Sequence, residues 1–187
     1  IRVADCRFNR SKIIELIEQA DREQVEILCF PELAITGYSC ADLFLQQHLL
    51  SEALAALHDI LLKTYTLNIV VIAGMPLRVH NQLYNVAVVF QSGKVLGVIP
   101  KTHLPNNNEY YEKRWFTSGF SDQIETIQLN ETAVAFGTNL LFNFQDVKFA
   151  AEICEDLWVP LPPSTQHCLH GAELIFNLSA TNEFIGK

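Results

Sequence analysis

Apolar residues along the chain fall into two rhythms. In "SKIIELIEQADREQ" they stand at Ile13, Ile14, Leu16 and Ile17. That spacing turns one face of a helix toward a core. Ser11 stands where an N-cap would serve it. "LLSEALAALHDILLKTYT" repeats the rhythm and predicts a second amphipathic helix. Between the two, "VEILCF" is an unbroken apolar run halted by Pro31, which predicts a short buried strand. "NIVVIAGMPL" and "LYNVAVVFQSGKVLGVIPK" predict three more strands, with Ser92-Gly93 as a hairpin turn. A long loop is expected from Lys101 onward. It lasts until "NLLFNFQDVKFAAEIC", which predicts a second hairpin ending at Cys154. "PSTQHCLHGA" predicts a surface helix and "ELIFNLS" a final strand. Mixed strands interleaved with helices imply an α/β layered domain. No internal repeat, low-complexity tract or linker interrupts the order.

Composition narrows this picture. The 187 residues are 49% hydrophobic and 18% charged, enough for one compact domain with a full core. The formal net charge is -8 and no Lys/Arg cluster stands out, so neither a nucleic acid nor an anionic membrane is an expected partner. The longest apolar runs, such as "LNIVVIAGMPL", are too short to span a bilayer. No signal-peptide pattern opens the chain. Five cysteines, an odd count without a disulfide framework, predict a reducing, cytoplasmic setting. "HCLH" offers His167, Cys168 and His170, but no second ligand pair stands at zinc spacing, so no metal site is expected.

Candidate chemistry gathers at three strand ends. Glu32 lies just past the first strand, Lys101 just past the first hairpin, and Cys154 at the end of "FAAEIC". Ligands of α/β sheets sit beyond the carboxyl ends of strands, so the three side chains are expected to share a pocket. Each alone has a plainer reading: a core cysteine, a charge at a helix N-terminus, a solvated lysine. Together they make a chemical set. A thiolate attacks carbonyl carbon. A neighbouring carboxylate takes the thiol proton and returns it to a leaving amine. An ammonium stabilises the thiolate and the oxyanion. The reaction implied is acyl transfer from an amide or nitrile to water through a thioester. Cys6, Cys29 and Cys40 have no such neighbourhood, and Cys29, inside "VEILCF", is expected in the core.

These residues resemble the nitrilase superfamily, the carbon-nitrogen hydrolases, whose Glu-Lys-Cys triad matches Glu32, Lys101 and Cys154 in type, order and strand-end position. "FPELAITGYSCADLF", "KTHLPNNNEYYEKRWF" and "EICEDLWVP" are similar to one branch, the glutaminase domains of glutamine-dependent NAD synthetases. "VADCRFN" and "NLSATNEFIGK" fit it too, so the likeness covers essentially the whole chain. The resemblance implies an αββα sandwich of mixed sheets, pairing into a four-layer αββα-αββα dimer or a higher homo-oligomer. It implies hydrolysis of L-glutamine to glutamate and ammonia, with no cofactor. The ammonia would pass to a C-terminal synthetase domain that amidates adenylylated nicotinic acid adenine dinucleotide with ATP and magnesium. No "SGG" phosphate loop occurs here, so that second reaction belongs to another part of the enzyme. Family domains begin with a strand before the equivalent of "IRVADCRFN" and run on past the equivalent of Lys187. Residues 1–187 are thus expected to be one nitrilase-like glutaminase domain clipped at both ends.

The same resemblance implies further roles. Glu155 would meet the substrate's amino group. Tyr38 matches a pocket tyrosine, and Asn107 a position that supplies a main-chain contact. Thr181 stands where the branch often has a serine against the substrate, and Lys187 where some members have an arginine. Lysine is a point charge and cannot give arginine's bidentate fork to a carboxylate. Many members carry a second glutamate near the triad lysine. Glu109 and Glu112 are both candidates, and the "YYEKRWF" context favours Glu112. Two other readings stand beside this one. A stand-alone amidase or carbamoylase of the superfamily is opposed by the "GYSCADLF" and "CEDLWVP" contexts. A non-catalytic assembly module is opposed by the complete triad.

Overall fold

The computed structural model describes residues 1–119, 124–129 and 131–182. The first helix, α1, spans Cys6–Arg22 and buries Cys6, Asn9, Ile13, Ile17 and Ala20. Its N-cap is Asp5, whose carboxylate accepts from Phe8 N at 3.0 Å. Ser11 is therefore not the cap. It lies one turn inside, where its Oγ donates to Arg7 O at 2.9 Å. The first turn, "CRFN", buries a cysteine and an asparagine, so the apolar rhythm that reveals the helix begins only at Ile13. The second helix, α2, spans Gln47–Lys63.

Strands β1 (Ile27–Cys29), β2 (Val70–Val79), β3 (Gln82–Gln91) and β4 (Lys94–Pro100) follow the sequence pattern. The expected long loop after Lys101 holds a hairpin instead, β5 (Glu125–Leu129) and β6 (Thr132–Phe136). Only alternate residues of this pair are buried, Ile127 and Leu129 against Val134 and Phe136. Its period-2 pattern is short and diluted by polar side chains. Strands β7 (Phe142–Phe144) and β8 (Val147–Ile153), helix α3 (Pro163–Leu169) and strand β9 (Leu174–Leu178) complete the order.

The strands form two mixed sheets, one in the order β1-β2-β3-β4-β6-β5 and one in the order β7-β8-β9. The β1/β2, β4/β6 and β8/β9 pairs are parallel, and the hairpins are antiparallel. Alternation along each strand divides the core. Val71, Ala73, Met75, Val86, Val88 and Phe90 meet the helices, packing with Ile17, Leu57 and Ile60. Val70, Ile72, Ala87, Val89 and Ile99 face the other way, onto Phe149, Ala151 and Ile153 of β8. The opposite face of β8 presents Glu152 to α3, where Ser164 N donates to its Oε2 at 3.0 Å. The layers are helix, sheet, sheet, helix: the αββα sandwich. Cys29, half-buried, packs against the inter-sheet core as expected.

On α3, His167 is buried with Nε2 2.8 Å from Thr138 O, whereas Cys168 and His170 are exposed. The three do not converge, and among the described residues no cluster suits a metal ion. No helix among those residues is long and apolar enough to cross a membrane.

Candidate active site

Each of the three strand-end positions is set by the strand that leads to it. Pro31 ends β1, and Leu33 takes a left-handed φ of 51°. The chain thereby turns across β2 at Gly74. A Cβ on Gly74 would lie 2.3 Å from Leu33 N and 2.7 Å from Pro31 O. Only glycine lets the two backbones approach this closely. The turn drops Glu32 into the gap between the sheets, 1% exposed. Lys101 follows β4 in the inter-sheet phase of Ile99, and its backbone N–H donates to Asn85 O at 2.8 Å. Cys154 follows β8 with φ 47° and opens a short 3-10 turn, Cys154–Trp158. A non-glycine residue in that region marks a sharp, strained turn, a frequent feature of functional sites.

The charged groups form one buried cluster. Lys101 Nζ donates to Glu32 Oε1 and to Glu112 Oε1, each at 2.7 Å. Asn85 Nδ2 donates to Glu32 Oε1 at 2.7 Å, and Ala180 N to Glu32 Oε2 at 3.0 Å. Tyr38 OH donates to Glu112 Oε1 at 2.7 Å. Glu112 Oε2 has no partner among the described residues. Glu112 is thus the glutamate that meets the lysine. Glu109 lies exposed at the rim, where Asn182 Nδ2 donates to it.

Burial pushes the Glu32 carboxyl above the usual carboxylate range; Lys101 pulls it back, and Glu112 pushes it further up. Burial alone would depress the Lys101 ammonium, but Glu32 and Glu112 outweigh it and hold it above its ordinary value. The lysine is therefore a fixed cation. Burial, then the Glu32 charge, push the Cys154 thiol up to about 11, against the pull of Lys101, Ser179 and Ala180. The resting group is a thiol, so the lysine does not by itself create a thiolate. Tyr38 is also pushed up by burial and by Glu112, and it stays a neutral donor.

Two further anchors lie outside the sequence reading. Asn85 sits in β3 in phase with Ala87 and Val89, a polar residue on an inward position of "LYNVAVV". That break in the pattern was the available signal. Asp156, 1% exposed, accepts from Ile153 N at 3.0 Å, Thr102 N at 3.1 Å and His103 N at 2.7 Å. Its signal was an aspartate two residues into a turn, a type that caps nearby backbone donors.

The other expected residues are placed less tightly. Glu155 is half-buried in the cysteine turn. Tyr38 meets Tyr110 edge to face at 6.2 Å, which sets the 107–112 loop over the site. Asn107 is exposed on that loop, and its carbonyl accepts from Tyr110 N at 3.0 Å. Thr181 is exposed, between Ala180 on Glu32 and Asn182, whose N donates to Tyr110 OH at 3.3 Å. Lys187 lies outside the described residues.

A buried glutamate and lysine beside a strained strand-end cysteine, in an αββα sandwich, are features of amide-cleaving thiol enzymes. The carbon-nitrogen hydrolase profile matches residues 2–185, and the chain belongs to that family. Within it, the glutamine-dependent NAD(+) synthetase of Mycobacterium tuberculosis (strain ATCC 25618 / H37Rv) is 38% identical over 188 residues, which take in 99% of this chain and 28% of the relative. That of Aquifex aeolicus (strain VF5) is 34% identical over 185 residues, 99% of this chain and 29% of the relative. The solved glutamine-dependent NAD(+) synthetase from Cytophaga hutchinsonii superposes at a TM-score of 0.86 and 34% identity, covering 99% of this chain and 30% of that one. An amidase from Nesterenkonia sp. shares the fold at a TM-score of 0.75 and 18% identity, covering 98% of this chain and 63% of that one. The chain thus spans under a third of the curated relatives it matches, 28% and 29% of the two named.

Proposed function

We propose that this domain hydrolyses L-glutamine to glutamate and ammonia through a thioester on Cys154. The observation that carries the reaction type is the buried ammonium of Lys101, 2.7 Å from both Glu32 and Glu112, beside a neutral cysteine thiol. The substrate is inferred from the relatives named above.

The steps follow from the protonation states. As Cys154 Sγ attacks the amide carbon, its proton goes to Glu32, whose raised proton affinity suits the task. The C–S bond forms and charge moves onto the carbonyl oxygen, where the Lys101 ammonium stabilises it. Glu32 returns the proton to the amide nitrogen, the C–N bond breaks, and ammonia leaves. Water then attacks the thioester and gives a proton to Glu32; the C–S bond breaks, Glu32 passes that proton to Cys154 Sγ, and glutamate leaves. No cofactor is called for, because nucleophile, proton carrier and cation are all side chains of this chain.

In this reading Tyr38 fixes Glu112, and Glu112 balances the lysine. Glu155 meets the substrate's amino group, while Asn107 and Thr181 line the mouth. Lys187 takes the place of the family's arginine near the substrate carboxylate. The ammonia serves a synthetase domain of a longer protein, where ATP and magnesium would act. The domains pair as a dimer or higher oligomer. The five free cysteines suit a reducing cytoplasm.

Ammonia release from L-glutamine, L-asparagine and simple aliphatic amides tests the proposal. Preference for glutamine by about a hundredfold or more in kcat/KM is expected, since a pocket built for one polar chain length leaves its own groups unpaired with another. Equal turnover of simple amides would make the protein a general amidase. No turnover of any amide by folded protein would remove the catalytic reading.

A further inference from the structure

The reaction uses Glu32, Lys101 and Cys154, yet Asp156, a carboxylate outside that set, is as deeply buried as Glu32. It touches none of them through its side chain. Its partners are backbone N–H groups on two separate segments. Ile153 N, at 3.0 Å, belongs to the turn that presents Cys154. Thr102 N and His103 N, at 3.1 and 2.7 Å, belong to the two residues after Lys101. The lysine backbone is pinned to the six-stranded sheet through Asn85 O. The cysteine hangs from the end of β8 in the three-stranded sheet. Asp156 therefore bonds across the gap between the sheets at the point where ammonium and thiol must meet. Glu32 makes a similar tie on the other side of the site, through Ala180 N after β9.

A local cap for the cysteine turn would need only the bond to Ile153. The two bonds to the lysine segment are not explained by that turn. Buried carboxylates are costly unless their acceptors are filled, and here both oxygens are engaged by donors from the two segments. Burial still pushes this carboxyl up to about 7, opposed by the His103 and Ile153 donors. A group held at that cost is more than packing.

We propose that Asp156 is a positioning residue that clamps the segment after Lys101 to the turn carrying Cys154, and so sets the ammonium–thiol distance. It acts through Lys101 and touches no reacting atom. The inference rests on the catalytic reading of Lys101 and Cys154, but not on glutamine as the substrate.

Two variants separate the clamp from the cap. Asp156→Asn keeps the size and loses one acceptor. Asp156→Ser keeps an oxygen able to cap Ile153 N but is too short to span to Thr102 and His103. Both are assayed by thermal unfolding, by kcat and KM, and by the rate of iodoacetamide reaction at Cys154, followed by mass at fixed pH. The clamp predicts kcat down about tenfold or more in both, with KM within about twofold. It also predicts slower alkylation by roughly tenfold, because the thiol loses the pull of the lysine. In a Lys101→Met background the Asp156→Ser substitution should change alkylation no further, the mark of one residue acting through another. A merely structural role would loosen the turn and expose the thiol, so alkylation would speed up. That result, or wild-type kcat and alkylation in Asp156→Ser, would overturn the proposal. Alkylation is read without turnover, so failure of the glutaminase reading alone would leave this test intact.

Discussion

Lys101 carries more of the site than its single charge suggests. Its ammonium is the counter-ion of Glu32 and Glu112, and all three are buried. Removing one partner of such a cluster leaves the others charged out of water, which costs about 3–5 kcal/mol. Lys101→Ala should therefore lower the urea-unfolding free energy by about that amount and abolish ammonia release. Glu32→Gln should abolish release with a smaller loss of stability, because the amide still fits and no charge is stranded. A Lys101→Ala protein as stable as wild type would mean the carboxylates do not depend on it. The Cys154 thiol gives a pH prediction. Its pKa rises from an ordinary 9.0 to about 11 in the folded state. The neutral thiol is favoured by folding, so this stability is complete below pH 9 and is lost as pH climbs toward about 11. Alkylation of the free enzyme should quicken roughly tenfold per pH unit across the alkaline range. A plateau near neutrality would mean a resting thiolate. At this scale the meeting of Glu32, Lys101 and Cys154 was legible in the sequence, since three residue types stand at three strand ends. Glu112 was favoured over Glu109 only by its context. Asp156 and Asn85 were not assigned, because their work is hydrogen bonding across long sequence separations, which no local pattern records.

Among the elements, the crossing of the first turn over β2 is the most exposed to small change. Gly74 has backbone, not a flexible side chain, against it, so the clash of an added methyl cannot be relieved by a rotamer. Gly74→Ala should push the Pro31–Leu33 turn off the strand and move Glu32 from Lys101. Ammonia release should fall about a hundredfold or more, a larger effect than the loss of thermal stability. Wild-type kinetics in Gly74→Ala would show that the turn can shift without moving the carboxylate. Elements with a strong period were legible in the sequence: both long helices, the first hairpin and the strand into Cys154. The β5/β6 hairpin was missed because its alternation lasts only five residues per strand, with three of five polar in β5 and two small alanines in β6. The true start of α1 was missed because Asp5 caps a first turn with no apolar rhythm.

The whole molecule is held by the contact between its sheets, and the site sits at the edge of that contact. Ile72 is fully buried there, among Phe149, Ile153 and Ile99. Ile72→Ala should cost about 2–5 kcal/mol of unfolding free energy, from lost burial and the cavity left behind. The layered architecture followed from the order of elements, but which residues face each other across the gap did not. We propose that this arrangement makes Cys154 the nucleophile of a glutamine-cleaving site. The most direct measurement is intact-protein and peptide mass spectrometry after treatment with a diazo-ketone analogue of glutamine. One adduct is expected, on Cys154, prevented by L-glutamine but not by L-asparagine, and absent in Lys101→Ala. Labelling of another cysteine, or a Cys154 adduct that glutamine does not slow, would contradict it.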